Sequence, residues 1–226
     1  MTESLPQLER EYIAKLVATL NDILTNCLVA VYLFGSASYG AYEPGISDLD
    51  VQAIISSPLP RATYWKLATQ LGHSAIPCPA HKLEFVLYTK DAVRAAHPQF
   101  ELNFNTGDGM TDYVCLDPSQ EAARWFLLDI ASGREKGVAL LGPPPATVFA
   151  EPRRDRVVAA IVDCIHWHLQ HEPTSANTIM NACRAWRFVE TANWGSKLRA
   201  GDAIVCLNTQ SSKILSRRTS DHLLEW

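Results

Sequence analysis

The residues Asp48-Leu49-Asp50 open one apolar run, and Gly35-Ser36 closes the run before it. On a strand alternate side chains share a face, so Asp48 and Asp50 point one way while Leu49 and Val51 point into a core. The same alternation in Leu83–Tyr88 puts Leu83, Phe85 and Leu87 on one face and Glu84 on the other. If the two runs are neighbouring strands, three carboxylates meet at the ~5 Å strand spacing. Crowding of this kind raises their pKa values, and a hard divalent cation relieves it. Oxygen-only ligands suit Mg²⁺, which makes Asp48, Asp50 and Glu84 the candidate metal ligands. Gly35 lets the backbone approach a phosphate, and the Ser36 hydroxyl with nearby N–H groups can donate to its oxygens. A phosphate cradle beside metal-holding carboxylates implies phosphoryl or nucleotidyl transfer, with one carboxylate taking the acceptor's proton.

These residues need a frame. Apolar positions at helical spacing (Leu8, Tyr12, Leu16, Val17, Leu20, Ile23, Leu24) predict an amphipathic helix over 7–26. Residues 27–35, CLVAVYLFG, read as a buried strand, followed by a Gly/Ser/Pro-rich loop over 36–47. DLDVQAII is a second strand, 59–74 a helix ending near Gly72, and HKLEFVLYTK a third strand. Residues 119–132 read as helix, closing with the apolar stretch before Gly142. The run GPPPATVFAEP cannot continue a helix, so the division between domains is expected near Gly142–Pro152. Beyond it, 153–172 and 174–193 are two helices. The expected fold is α+β: a mixed sheet flanked by helices over 1–145, then an α-helical domain over 146–226.

Composition narrows the chemistry. The 226 residues are 47% hydrophobic with a formal net charge of −4, enough for one large domain or two small ones with real cores. No Lys/Arg stripe supports a nucleic-acid partner. No run reaches the ~18–20 apolar residues of a membrane span, and the acid-containing start lacks a signal core. Six scattered cysteines (Cys27, Cys78, Cys115, Cys164, Cys183, Cys206) with no Cys-x-x-Cys pair fit reduced thiols in a cytoplasmic protein. His166 and His168, two apart on a helix, diverge and are expected as surface histidines, while His81 stands just before the third strand. Trp125, Trp167 and Trp186 are expected to pack the helices.

FGS, eleven residues, then DLDV resembles the nucleotidyltransferase superfamily that includes DNA polymerase β-like enzymes. With LEFVLY, REKGVALLGPP and NTIMNACRAW, the chain resembles more particularly the aminoglycoside 3″/9-adenylyltransferases, the streptomycin and spectinomycin resistance enzymes, over residues 10–200. The resemblance implies a polymerase-β-like nucleotidyltransferase domain and a helical domain, with ATP and the drug bound between them. It implies transfer of AMP from Mg-ATP to a hydroxyl of a small polyhydroxylated acceptor; a monomer is expected. By the same resemblance Ser36 falls on the phosphate-binding serine, Asp48 and Asp50 on the Mg²⁺ ligands, and Glu84 on the catalytic base. Arg184, and Lys197 thirteen residues later, fall on the two cations that reach the ATP phosphates.

The chain departs from the family in three places. Thr174-Ser175-Ala176 stands where the family has an acidic segment whose aspartate grips the aminocyclitol, with Glu172 the nearest acid. The drug-packing aromatic falls near Asn103 or Phe104. The family's helical pattern is lost after Leu207, a truncated or altered end. Two other readings share the motifs: an antitoxin-like nucleotidyltransferase that binds and adenylylates a protein partner, and an inactive nucleotide-binding homologue.

Overall fold

A computed structural model describes residues 4–196 and residue 201. The fold is α+β, with a six-stranded mixed sheet flanked by helices and further helices after it. In chain order the elements are α1 (Gln7–Leu24), β1 (Leu28–Leu33), α2 (Gly35–Ser38), β2 (Leu49–Ile55), α3 (Arg61–Leu71), β3 (Leu83–Thr89), β4 (Phe100–Thr106), β5 (Tyr113–Cys115), α4 (Ala123–Lys136), β6 (Val138–Leu141), α5 (Pro145–Val148), α6 (Arg154–His171) and α7 (Ala176–Thr191). The strands lie in the order β5-β4-β3-β2-β1-β6. Neighbours are antiparallel except β2 and β3, which α3 joins by the crossover that a parallel pair requires.

The strand pattern explains the layers. Leu49, Val51, Ala53 and Ile55 of β2 and Leu83, Phe85 and Leu87 of β3 pack with Leu16 and Leu20 of α1 and Leu67 and Leu71 of α3. On the opposite face Ile54 and Tyr88 join Phe126 and Ile130 of α4, with Phe34, Val148 and Phe149. That second core covers the far ends of β2 and β3, leaving Asp50 and Glu84 at their N-terminal ends where the face opens. Phe34 sits between the core and the site: its ring lies against Gly133 of α4 and Gly137 just after it, where any Cβ would strike it.

The chain forms two compact units, the first running to Cys164 and the second beginning at Ile165. The sequence places the division at 145/146, on the prolines. Those prolines instead start the short α5, whose Val148 and the following Phe149 belong to the core under the sheet. β4 and β5 are elements that the sequence reading did not assign. In the second unit Ser175 caps α7 by accepting from the Thr178 N–H at 3.1 Å. Phe188 stacks on Trp194 with ring centroids 4.3 Å apart. His168 is buried with Nε2 3.0 Å from Asn181 Nδ2, not on the surface as expected, whereas Trp186 is 42% exposed rather than packed. None of the described cysteines is in a disulfide, and Cys206 lies outside the described residues. Among the described residues no helix is long and apolar enough to cross a membrane.

Candidate active site

The parallel register of β2 and β3 sets Asp50 directly opposite Glu84. The antiparallel ladders beyond continue the row, Glu84 opposite Asn105 and Asn105 opposite Tyr113. Residues paired across a sheet share a face, so one polar row runs from Asp50 across four strands. Asp48 sits just before β2, where Leu49 N–H donates to the Lys82 carbonyl at 2.9 Å and extends the ladder past the strand ends. The aspartate pair and Glu84 are therefore neighbours, as the alternation argument requires.

Gly35 closes the site from the side of β1. Its φ of +59° lies in the left-handed region, and a Cβ there would come within 2.6 Å of Asp50 Cγ. Only glycine meets both demands, which brings the turn backbone directly against the carboxylate. Phe34 N–H donates to the Asp50 carbonyl at 2.8 Å, fixing the turn to β2. Half-buried Ser36 follows in α2, where its carbonyl accepts from the N–H groups of Tyr39 and Ala41. The N–H groups at the start of such a turn have no intrahelical acceptor. The loop leading back to Asp48 is tied to α1 by Tyr42 Oη, which donates to buried Glu9 Oε1 at 2.9 Å.

Electrostatics single out Asp50. Although part of its surface is open to the cleft, it lies deep among surrounding atoms. Burial first, then the charges of Glu84, Asp129 and Asp48 and a hydrogen bond with Glu84, hold its pKa well above the usual carboxylate value. Asp48 faces a histidine and a lysine instead: its Oδ1 lies 2.8 Å from His81 Nδ1 and its Oδ2 3.6 Å from Lys82 Nζ. Lys82 also makes a close ion pair with Glu84 Oε1. Burial pushes the Lys82 ammonium toward neutrality, but Glu84, Asp48 and Asp50 outweigh it and raise its pKa overall.

The structure brings Gly35, Ser36, Asp48, Asp50 and Glu84 together, with one correction. Among the described residues no three acidic, histidine or cysteine side chains form a metal-holding group, so the three carboxylates do not converge as a ligand set by themselves. The Lys82 ammonium contacts both Glu84 and Asp48 there. The donors still fit Mg²⁺ chemically: they are hard oxygens crowded together, and this cation typically takes one or two carboxylates plus substrate phosphates. The sequence reading passed over Lys82, Asn105, Tyr113 and Asp129. Lys82 was legible, since it lies two residues before Glu84 and so on the same face.

Other candidates fall elsewhere. Phe104 is fully buried in the core shared with α1 and α3 and presents no surface to a ligand. Buried Asn103 Nδ2 donates to Glu121 Oε1 at 3.4 Å, while the exposed aromatic on this sheet edge is Tyr113, whose hydroxyl also donates to Glu121. Glu172 is engaged in its own turn, accepting from the Ser175 hydroxyl at 3.2 Å and lying 3.6 Å from His168. Arg184, in the second unit, places its guanidinium 5.6 Å from the centre of the Trp194 ring. Lys197 lies outside the described residues.

The six-stranded mixed sheet thus sets a Gly-Ser turn against an Asp-x-Asp strand with a glutamate facing it. The chain is similar to spectinomycin adenylyltransferases in both sequence and fold. It is 24% identical over 191 residues to the spectinomycin 9-adenylyltransferases of Staphylococcus aureus strains Mu50 and N315, covering 79% of this chain and 71% of each relative. Its fold is similar to spectinomycin adenyltransferase AAD(9) from Enterococcus faecialis, solved with ATP and spectinomycin, with a TM-score of 0.68 and 19% identity over 86% of this chain and 82% of that one. A toxin–antitoxin structure with AMP-PNP matches with a TM-score of 0.32, which carries no argument. No family model matches the chain.

Proposed function

We propose that the protein transfers AMP from ATP to a hydroxyl of a small polyhydroxylated acceptor, an aminocyclitol antibiotic of the spectinomycin or streptomycin type. The observation that carries this reading is the register setting Asp50 against Glu84 beneath the left-handed turn at Gly35. Spectinomycin is the first acceptor to test, because the relatives above carry that name.

The roles follow from chemistry and position. Asp48 and Asp50 would hold Mg²⁺, which when bound neutralises phosphate charge and keeps the attacking and leaving oxygens in line. The turn at Gly35-Ser36 holds phosphate oxygens through its N–H groups and the Ser36 hydroxyl. Glu84 accepts the proton of the acceptor hydroxyl. That oxygen bonds to the α-phosphorus as the bond to the β-phosphate bridging oxygen breaks, and pyrophosphate leaves. Arg184 and Lys197 are assigned by the resemblance to the ATP phosphates. Asn105 and Tyr113, next along the row from Glu84, are placed to meet the acceptor.

The test is pyrophosphate release from Mg-ATP with spectinomycin and streptomycin offered separately. Wild type turns over at least one, and Asp50→Asn or Glu84→Gln lowers kcat by about 10²–10⁴-fold, the usual scale for losing a positioned proton acceptor or charge partner. No release with either drug would overturn the acceptor assignment.

A further inference from the structure

Lys82 has no part in the chemistry above, yet it occupies the middle of the site. Its ammonium pairs with Glu84 Oε1 and lies 3.6 Å from Asp48 Oδ2, with only 25% of the side chain exposed. The backbone fixes it there. Its carbonyl accepts from Leu49 N–H at 2.9 Å, His81 N–H donates to the Ser47 carbonyl at 3.3 Å, and Gly107 packs so closely that a Cβ would lie 3.2 Å from Lys82 Cα.

Two acids of the site, one a proposed metal ligand and the other the proposed proton acceptor, thus already share a univalent cation. Magnesium takes its oxygens at about 2.0–2.1 Å in near-octahedral geometry, which leaves no room for an ammonium on the same lone pairs. A lysine suits a reversible occupant, because a compact charge on a flexible four-carbon stem can leave without moving the backbone. We propose that Lys82 is a resident counter-cation of the carboxylate cleft, displaced from Asp48 and Glu84 when a divalent metal binds. This rests on the magnesium-dependent reading of the site. The metal-free cleft keeps Asp48 and Glu84 apart and partly neutralised, at the expense of metal affinity. The Lys82 ammonium would swing away from Asp48 Oδ2 to admit a metal that brings its own phosphate oxygens.

The experiment uses the full chain without acceptor and with Mn²⁺ as the probe. Calorimetric titration compares wild type with Lys82→Met and with Lys66→Met, a control on the exposed side of α3. Lys82→Met binds Mn²⁺ about tenfold tighter, the order expected for removing a competing charge from a partly solvated cleft, and Lys66→Met matches wild type. Independently, trace acetylation of wild type read by peptide mass spectrometry shows Lys82 labelling rise several-fold relative to Lys66 on adding Mn²⁺. This second readout needs no variant to fold. Unchanged Mn²⁺ affinity in Lys82→Met, or Lys82 as protected with metal as without, overturns the proposal while leaving the turnover assay to judge the acceptor. Absence of Mn²⁺ binding in every form overturns both this proposal and the metal-dependent reading.

Discussion

Asp50 is the residue where opposing forces in this protein are most sharply set. Burial, with Glu84, Asp129 and Asp48 nearby, makes its charged form unfavourable, and Lys82 pairs with Glu84 and Asp48 but not with Asp50. Because its folded pKa is raised, the folded state binds this proton more tightly than the unfolded state. The corresponding stability is fully present below the ordinary carboxylate pKa and is lost as pH rises through the folded value. Asp50→Asn removes that loss. In EDTA, the melting temperature of Asp50→Asn relative to wild type climbs as pH rises above the ordinary carboxylate range, followed by circular dichroism. A gap that stays constant or narrows would contradict the electrostatic account. Adding Mg²⁺ raises wild type toward the variant at the upper pH.

At the scale of elements, the site depends on how α4 seats the end of β1. Gly133 and Gly137 lie against the Phe34 ring, and Phe34 immediately precedes the left-handed Gly35. Elsewhere on a helix Gly→Ala stabilises by about 0.5–1 kcal/mol. Here the new methyl overlaps an aromatic ring that is itself fully buried between Tyr32 and Phe149, with ring centroids 6.1 Å and 5.6 Å away. Overpacking of a close-packed core costs about 1–3 kcal/mol, so the balance falls on the destabilising side. Gly133→Ala therefore lowers stability in urea titrations despite its better helix propensity, and reduces kcat by displacing Gly35. A stabilised, fully active Gly133→Ala would show that the turn is independent of α4.

For the whole molecule, ligation is the measurable quantity. A nucleotide that binds only the folded chain stabilises it by ~2.7 kcal/mol at a hundred times its Kd. For a chain of this length that corresponds to a midpoint shift of about 5–10 °C. Mg-ATP produces a shift of this order in thermal melts, EDTA removes most of it, and Asp50→Asn blunts it. The chain has two compact units, so the transition that moves identifies the unit that binds. Movement of the transition belonging to residues before Ile165 is the expected outcome.

The sequence by itself determined the strand faces and the site's acids. The period-2 alternation of Leu49–Ile55 and Leu83–Thr89 is a local property, so Asp50 and Glu84 could be placed on a face before any fold was known. The Gly35-Ser36 turn was equally legible as a glycine and a serine ending a buried run, while its left-handed conformation against Asp50 is known only from the structure. β4 and β5 were missed for different reasons: three-residue β5 is too short for a period to declare itself, whereas Phe100–Asn105 of β4 alternates apolar and polar strictly and was legible but passed over. What only the tertiary structure decided was adjacency. That β3 lies parallel beside β2, that β4 follows with Asn105 next to Glu84, and that the Lys82 ammonium stands among the acids all depend on strand pairing between distant segments. Pairing is chosen by the burial of both sheet faces together, a property of the assembled core that no single stretch of chain contains.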